Sequence, residues 1–528
     1  MNQYFKNYAD RVMHVPTNYR RSFWIFLAIV TVLRSIYINF PNLVPQEAYY
    51  WLYAKHLDLS YFDHPPLTAW TIAFFTHLGG DTHFFVRLGA VLYSTGASIA
   101  AYYLARSILR GPKFGFWTVI TMNSALIFAI GSVIFTPDTP MIFFWTLVLI
   151  SVHRAISTSQ WPWWYAAGIS LGLAFLSKYT SGLLVGSTFL FLLASKKHRH
   201  WLISVHPYMA LVLAFIIFSP VIIWNIEHEW ASFAFQSTRR VRMMGVFKPE
   251  HFFEMIGTQA AMLTPILFIG LFYSLYKLFQ KWKAFHDDDI LFILSYSVPP
   301  IALFSLVSLR ALVKMNWLAP AYITAVIGMV YFFSEKSEDF PHIWKRWVRA
   351  GLTVGMALVL LAHLLLLAPF VPVGSGDTWS GWEKLADRVK KVKAELEGET
   401  FIFSPSYKIS SELKFYGDPD DMIYAENILG KPALQFDYWL PLDDAIGKDA
   451  LLVHSNSMKI RGRDRDILAK CFEHVEDCDT LTIVRNFITV RKFYLTKCFD
   501  YKGPPQSLPL ESKIDDTPKD APPAPKTP

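Results

Sequence analysis

The chain has 528 residues, of which 53% are hydrophobic, 16% aromatic and only 17% charged. A soluble chain of this length would carry more charge, so the composition excludes an ordinary soluble protein. The net charge of +8 does not indicate a nucleic-acid-binding protein, because most Lys and Arg residues lie in short segments between apolar runs, a distribution that sets membrane topology.

Repeated apolar runs of nearly 20 residues predict a mainly α-helical membrane protein with about eleven transmembrane helices. If residues 1–21 are cytoplasmic, the inside segments hold 18 Lys and Arg residues and the short outside segments hold 8, as the positive-inside rule requires. The odd number of spans then places the C-terminal region outside. The predicted spans are residues 22–40, 84–105, 114–133, 139–156, 162–177, 180–195, 203–224, 256–276, 289–308, 317–333 and 350–371.

Three features of this map can be checked in a structure. Residues 62–78 are apolar but short and contain Pro65-Pro66, which predicts an interfacial helix at the outer face rather than a span. The fifth and sixth spans nearly abut at Ser177-Lys178-Tyr179, which predicts a tight hairpin. Asp287-Asp288-Asp289 precedes the ninth span, and this position favours a helix-start charge cluster over a metal site.

From residue 374 to residue 502 the pattern becomes that of a compact soluble α/β domain. Cys471 and Cys478 could pair in an oxidising compartment, leaving Cys498 over, or all three could stay reduced. The tail from residue 503 to residue 528 holds eight Pro residues and is predicted to be disordered. The predicted helices of the domain are residues 382–397 and 407–415, and its predicted strands are residues 400–403, 451–453 and 481–484.

The first outer loop concentrates carboxylates, aromatic residues and a histidine beside a membrane helix. Because charge is costly inside lipid and useful at its surface, this loop is the first candidate for a functional site. An ordinary amphipathic interfacial loop is the alternative. The loop contains Pro45-Gln46-Glu47-Ala48-Tyr49-Tyr50-Trp51 and Tyr61-Phe62-Asp63-His64-Pro65-Pro66-Leu67.

Further polar motifs follow in order on later predicted outer loops, namely Thr136-Pro137-Asp138-Thr139-Pro140, Ser177-Lys178-Tyr179-Thr180 and Lys314-Met315-Asn316-Trp317-Leu318-Ala319-Pro320-Ala321-Tyr322. With these motifs, roughly residues 20–330 resemble the polytopic GT-C glycosyltransferases of the protein-mannosyltransferase/aminoarabinose-transferase superfamily. The resemblance is closer to the bacterial branch that modifies lipopolysaccharide and related cell-surface acceptors.

The resemblance implies a multi-pass protein of the bacterial inner membrane with a periplasmic C-terminal domain. It also implies a polyprenyl-phosphate sugar donor, an active site at the outer face and an inverting displacement at the anomeric carbon. The acceptor would be lipid A, lipopolysaccharide, another glycan or a protein. The chain has neither a Walker A loop nor a GxGxxG turn, which agrees with a lipid-linked donor.

Two carboxylates are candidates for the general base that accepts the proton of the acceptor hydroxyl. Relatives carry an Asp-Glu pair in the first outer loop, and the Asp is their proposed base. This chain has Gln46 at that position, and an amide cannot take the proton. Glu47 matches the second acid of the pair and Asp138 matches the second acidic site, so the base is Glu47 or Asp138.

The leaving lipid phosphate needs cations aimed at its growing negative charge. Structural charge or lipid-headgroup contact is the alternative role for each of these cations. Tyr50, Trp51, Tyr61 and Trp230 suit sugar faces or a lipid groove, although membrane interfaces also concentrate Trp and Tyr. The predicted cations are His64, Lys178, Arg239, Arg240, Arg310 and Lys314, and the predicted substrate contacts also include Gln46, Tyr50, Tyr61 and Asp63.

No cofactor is predicted, and a divalent metal held by His228 with Glu227, Glu229, Asp63 and His64 is the open alternative. Two other classes of function also remain. A lipid-linked sugar transporter or flippase would hold ionisable groups near the bilayer midplane and show repeats, whereas here polar groups gather in outer loops. A non-catalytic membrane scaffold is kept open by the altered Asp-Glu pair.

Overall fold

The computed structural model describes residues 18–239, 246–334, 342–368, 377–456 and 462–505. Its contacts form two compact units. The first unit consists of Met1–Phe40 and Asp58–Leu364, and the second of Pro41–Leu57 and Leu365–Pro528. Residues 41–57, which the sequence analysis grouped with the membrane helices, therefore pack with the C-terminal region.

The chain is mainly helical, and short 3-10 turns join several of its helices. In chain order the helices are α1 (Tyr19–Tyr37), α2 (Pro45–Lys55), α3 (Leu67–Gly79), α4 (His83–Ile108), α5 (Pro112–Asn123), α6 (Leu126–Ile130), α7 (Asp138–Thr158), α8 (Pro162–Ser177), α9 (Leu183–Ala194), α10 (Val205–Glu227), α11 (Ala231–Ala234), α12 (Glu250–Leu263), α13 (Pro265–Phe285), α14 (Asp288–Ser308), α15 (Ala319–Ser334), α16 (His342–Leu367), α17 (Trp382–Lys393), α18 (Tyr407–Tyr416) and α19 (Gly462–Cys471). The strands are β1 (Thr400–Phe403), β2 (Ile423–Tyr424), β3 (Asp449–Ser455), β4 (Phe472–Arg485) and β5 (Ile488–Tyr501).

Several helices of the first unit suit a bilayer. Within the described residues, five helices are long and apolar enough to cross a membrane, and six if α12 and α13 count as one span. That pair is bent by 105° at Thr264, whose φ is 72°, and Pro265 follows with no N–H for the helix ladder. A break between two helices therefore falls inside the predicted span over residues 256–276. The total of eleven spans stays a prediction.

The close succession of two helices predicted at Ser177-Lys178-Tyr179 is present. Helix α8 ends at Ser177, and a 3-10 turn at Tyr179–Gly182 leads directly into α9. Helix α8 also packs closely along α10. A Cβ atom added at Gly168 would lie only 2.4 Å from the Ala210 carbonyl oxygen. Small residues allow two helices to approach in this way.

The three aspartates before the ninth predicted span form a helix start, as predicted. Asp287 caps α14, because its side chain accepts hydrogen bonds from the backbone N–H groups of Asp289 and Ile290. Asp288 accepts a 2.6 Å hydrogen bond from Ser195, and Asp289 lies 3.1 Å from His153 Nε2. These carboxylates therefore tie the start of α14 to two other segments of the first unit.

The second unit contains a five-stranded mixed sheet in the order β2-β1-β3-β5-β4. Strands β1, β2 and β3 are parallel, while β5 runs antiparallel to both β3 and β4. Successive side chains of a strand point to opposite faces. Accordingly, Phe401 and Phe403 join one apolar cluster and Ile402 joins another. The predicted C-terminal α/β domain is confirmed, with β5 as a strand that the sequence pattern missed.

The cysteines of this unit are all free thiols. Cys471 ends α19 and Cys478 lies within β4, so the two are roughly 20 Å apart along an extended strand. A disulfide needs Cα atoms within about 7 Å, so the disulfide considered between them does not form. Burial raises the pKa of the Cys471 thiol to about 11, which leaves it protonated and unreactive at neutral pH.

Candidate active site

Asp138 occupies the first turn of α7 in the first unit. Pro137 precedes it with helical dihedrals, and a fixed φ suits proline to a helix start. Helix N-termini favour a carboxylate because the unpaired backbone N–H groups carry partial positive charge. The side chain of Asp138 is only 12% exposed, so its partners within the protein decide what it can do.

Two side chains from distant parts of the sequence hold this carboxylate. Lys178 Nζ lies 2.7 Å from Asp138 Oδ1, and Asn316 Nδ2 donates to Asp138 Oδ2 at 2.6 Å. Lys178 follows the end of α8 in an extended conformation. Asn316 lies in the loop before α15, which Gln259 supports by donating to the Met315 carbonyl at 3.0 Å.

This arrangement leaves hydrogen-bond donors and acceptors with which Lys178 and Asp138 can contact a substrate. An ammonium group has three donors and a carboxylate has about four acceptor positions. After the Lys178 contact, two donors of the ammonium group remain available for phosphate oxygens. Asp138 likewise keeps acceptor positions beyond those used by Lys178 and Asn316. A cation for a phosphate and an acceptor for a hydroxyl proton therefore lie side by side.

The next residue, Tyr179, connects this pair to the predicted loop site. The Tyr179 hydroxyl lies 2.7 Å from Ser232 Oγ, and the carboxylate of Asp63 acts on it electrostatically. Asp63 is buried, its carbonyl accepts a 2.7 Å hydrogen bond from Gln236, and its carboxylate is 3.9 Å from His64 Nε2. The structure thus brings Asp63, with His64 beside it, close to Tyr179, the residue that follows Lys178.

Tyr61 supports the loop from inside. Its side chain is completely buried, its hydroxyl accepts a hydrogen bond from the Asp58 N–H at 3.3 Å, and burial raises the pKa of that hydroxyl. The Asp58 carboxylate accepts a 2.8 Å hydrogen bond from the Trp224 indole. A substrate contact by Tyr61, as predicted, would require the loop to move.

Gln46, Glu47 and Tyr50 lie on α2 in the second unit. Glu47 is completely buried, and its Oε2 accepts a 3.1 Å hydrogen bond from the backbone N–H of Val44. This is the capping contact expected of a glutamate at the third position of a helix. Tyr50 is buried and Gln46 is exposed. Glu47 therefore caps its own helix.

Helix α2 is anchored to the second unit by aromatic contacts. The Tyr49 hydroxyl accepts a 3.1 Å hydrogen bond from the Gln435 N–H, and the Tyr49 ring stacks on Phe436. Trp51 packs edge-on against Phe415 of α18. The helix that carries Glu47 is consequently part of the core of that unit.

The sequence analysis also predicted four further cations for the lipid phosphate. Arg310 and Lys314 are both exposed and lie between α14 and α15. Arg239 ends the turn Phe235–Arg239, but its side chain lies outside the described part of the chain, as does all of Arg240. A donor contact by any of these four residues stays a prediction.

A divalent metal was the open alternative. Within the described residues, no group of three or more His, Cys, Asp or Glu side chains is arranged to hold an ion. His228 instead stacks on Trp224 with ring centroids 3.9 Å apart, and its Nδ1 lies 2.9 Å from the Trp224 carbonyl.

Sequence reasoning missed three residues of this site: Tyr179, Asn316 and Asp58. Tyr179 and Asn316 lie inside motifs that the sequence analysis singled out, so a signal existed. Asp58 had no signal beyond an acidic side chain in an outer loop.

Comparison with known proteins shows which class of protein the chain resembles. Residues 63–224, which include Asp63, His64, Asp138 and Lys178, match the family model described as dolichyl-phosphate-mannose-protein mannosyltransferase. The chain is 26% identical over 344 residues to lipid A galacturonosyltransferase RgtD of Rhizobium johnstonii, covering 64% of this chain and 70% of that protein.

A shorter match, 31% identical over 125 residues, joins the chain to undecaprenyl phosphate-alpha-4-amino-4-deoxy-L-arabinose arabinosyl transferase of Edwardsiella ictaluri. It covers 21% of this chain and 22% of that protein. Among solved structures, ArnT from Cupriavidus metallidurans bound to undecaprenyl phosphate superposes with a TM-score of 0.62 at 13% identity, covering 90% of this chain and 98% of that one.

The fold is therefore that of the GT-C glycosyltransferases, and the class predicted from the motifs is confirmed. Within that class, the chain is similar to a bacterial lipid A galacturonosyltransferase and to bacterial undecaprenyl phosphate aminoarabinose transferases.

Proposed function

We propose that this membrane glycosyltransferase moves a sugar from a polyprenyl-phosphate donor to lipid A, lipopolysaccharide or another cell-envelope glycan or protein. The reaction takes place at the outer face of the bacterial inner membrane. The observation that carries the proposal is the contact of Asp138 with Lys178 and Asn316. It joins a proton acceptor and a phosphate-binding cation in the segment that matches the glycosyltransferase family.

In the proposed reaction, the acceptor hydroxyl attacks the anomeric carbon from the face opposite the phosphate. The new carbon–oxygen bond forms as the bond to the lipid phosphate oxygen breaks, and the anomeric configuration inverts. Asp138 accepts the hydroxyl proton. Lys178 uses its remaining donors on the departing phosphate, where charge develops and fixed cations have the largest effect.

Of the two candidate bases, Asp138 suits the role better than Glu47. Glu47 has no exposed surface and accepts the Val44 N–H within its own helix. We assign it to the start of α2, where it sets the position of its neighbours Gln46 and Tyr50. Asp63 and His64 extend the donor contact, and Arg239, Arg240, Arg310 and Lys314 are the further cations for the lipid phosphate.

The proposed topology has eleven spans, a cytoplasmic N-terminus and a periplasmic domain over residues 374–502, followed by a disordered tail. The excess of Lys and Arg in the inside segments supports it. A reporter that is active only outside the cytoplasm should be active when fused after Tyr501. Cytoplasmic labelling of that fusion would contradict the topology.

Turnover tests the function as a whole. Purified protein should convert a labelled polyprenyl-phosphate sugar and lipid A into glycosylated lipid A without added metal, and chelation should not stop it. Movement of the donor across vesicles without transfer would instead indicate a flippase, and neither activity would indicate a scaffold.

A matched pair of variants keeps this test specific. Asp138→Asn should slow turnover about 10²–10⁴-fold, whereas Asp289→Asn should retain it, although Asp289 also lies in the first turn of a helix and contacts a basic side chain. Equal loss in both variants would mean general destabilisation of the membrane unit.

A further inference from the structure

The turn between β4 and β5 has an unusual residue for its backbone. Arg485 pairs with Ile488, so Asn486 and Phe487 form a two-residue turn, with φ values of 46° and 64°. Such turns favour Asn followed by Gly, because the left-handed region is costly for a bulky side chain. Phe487 is nevertheless there, and its ring is completely exposed.

The neighbours of Phe487 extend this apolar surface. Val484 is 48% exposed and Ile488 is half-buried. Val484, Phe487 and Ile488 together form what we call the hairpin tip. Neither the turn geometry nor packing against the described residues accounts for a phenylalanine at its end. Backbone strain of this kind often accompanies a functional contact.

One arginine fixes the location of the hairpin tip. The Arg485 guanidinium donates to the carbonyl of Leu367 at 2.7 Å and to Ser380 Oγ at 2.6 Å. Leu367 is the last residue of α16 and, like the hairpin, belongs to the second unit. Residues Arg346–Leu367 form one of the helices apolar and long enough to cross a membrane, with a mean hydropathy of 2.3.

The end of a membrane-spanning helix marks the level of the bilayer surface. Arg485 holds the hairpin against that end of α16. We infer that the hairpin tip lies at the level where lipid headgroups meet acyl chains and inserts into this interfacial layer, with Phe487 as its anchor. Aromatic side chains are favoured there, and burial of the ring in lipid offsets the cost of the turn.

The anchor gives the second unit a contact with lipid in addition to its covalent link through α16. A membrane surface is the occupant that the geometry favours, since the exposed apolar residues adjoin a helix end rather than a groove. A protein partner or a second copy of the chain would cover the hairpin tip without placing it in lipid.

Fluorescence quenching by lipids tests the inference in the full chain. Asn486→Cys, in a Cys478→Ser background that keeps Phe487, is labelled with an environment-sensitive fluorophore and reconstituted in vesicles whose lipids carry a nitroxide near the headgroup. The other two cysteines are buried and should not label. We expect strong quenching at residue 486.

Ile446→Cys is the matched control. Ile446 is 48% exposed and adjoins Gly447, whose N–H bonds to the carbonyl of Tyr501 at the far end of β5. A strand of 14 residues spans about 45 Å, so the control lies far from the hairpin tip. Quenching several-fold stronger at residue 486 than at residue 446 is the expected result. Equal quenching at both sites, or none at residue 486, would overturn the inference.

A second variant separates anchoring from folding. Glycine adopts the left-handed conformation without cost, so Phe487→Gly should keep or raise the thermal unfolding temperature in detergent. A label at Asn486→Cys should lose most of its quenching when Phe487→Gly is added. A lower unfolding temperature for Phe487→Gly would mean that the ring packs within the protein, and the inference would fail.

Discussion

Two carboxylates at helix starts, Asp138 in the first unit and Glu47 in the second, have different hydrogen-bond partners. Both lie in the first turn of a helix, and both are buried. Asp138 contacts the side chains of Lys178 and Asn316, whereas Glu47 accepts a hydrogen bond from the backbone of its own helix start. The side chains of Lys178 and Asn316 can turn toward a substrate. The side chain of Glu47 cannot leave its capping contact without loosening the start of its helix.

Of the two side chains that contact Asp138, removal of Lys178 should have the larger effect on transfer. In the proposed reaction, Lys178→Ala leaves the departing phosphate without its cation, and loss of one such electrostatic partner typically costs about 10²–10³-fold in rate. Transfer and donor binding should both fall, as measured by turnover and by binding of labelled donor.

The control for Lys178 is Lys196→Ala with Lys197→Ala, which removes positive charge at the predicted cytoplasmic end. This double variant should keep near-normal donor affinity. Equal loss in both proteins would show that the Lys178 effect is general destabilisation.

Asn316→Ala should have an intermediate effect. It removes a hydrogen bond to a charged group, whose net contribution of about 1.5 kcal/mol corresponds to roughly a tenfold change. Because Asn316 acts through Asp138, its effect should disappear in an Asp138→Asn background. A full tenfold loss on top of Asp138→Asn would show that Asn316 acts on substrate directly.

Glu47 substitutions should change stability rather than chemistry. Glu47→Ala removes a cap, and such losses cost about 0.5–2 kcal/mol, so the thermal unfolding temperature should fall. Glu47→Gln keeps the capping contact, because glutamine also serves at this position. If Glu47→Gln unfolds as early as Glu47→Ala, the negative charge rather than the cap stabilises the helix start.

The smallest effects concern the thiols, which report on the core of the second unit. Burial raises the pKa of Cys471 to about 11, so below that pH the thiol stays protonated in the folded protein. Iodoacetamide at neutral pH should modify Cys478, which is only partly buried, faster than Cys471 or Cys498. Rapid modification of Cys471 would contradict this packing.

Many of the helices could be predicted from local signals in the sequence. Helix α8 has the predicted bounds because Pro162 can start a helix and Lys178 leaves it in an extended conformation. Strand β5 was missed because Arg491, Lys492 and Lys497 interrupt its apolar alternation. The turn before it carries Asn-Phe rather than the Asn-Gly that marks a hairpin in sequence.

Most residues of the candidate site could be predicted from the sequence, but the contacts between them could not. Asp138 and Lys178 were each singled out, yet 40 positions separate them, and Asn316 is 178 positions from Asp138. Tyr49 of α2 meets Gln435 across 386 positions. No local pattern encodes pairings over such distances, so only the fold could distinguish the cap at Glu47 from the pair at Asp138.

The measurement that tests this distinction most directly is a single-turnover assay of Asp138→Asn beside Glu47→Gln, with donor binding measured in parallel. Asp138→Asn should bind labelled donor and transfer it about 10²–10⁴-fold more slowly, the usual cost of losing a general base. Glu47→Gln should bind and transfer at near-normal rates. Slow transfer by Glu47→Gln together with near-normal transfer by Asp138→Asn would contradict the assignment of the base to Asp138.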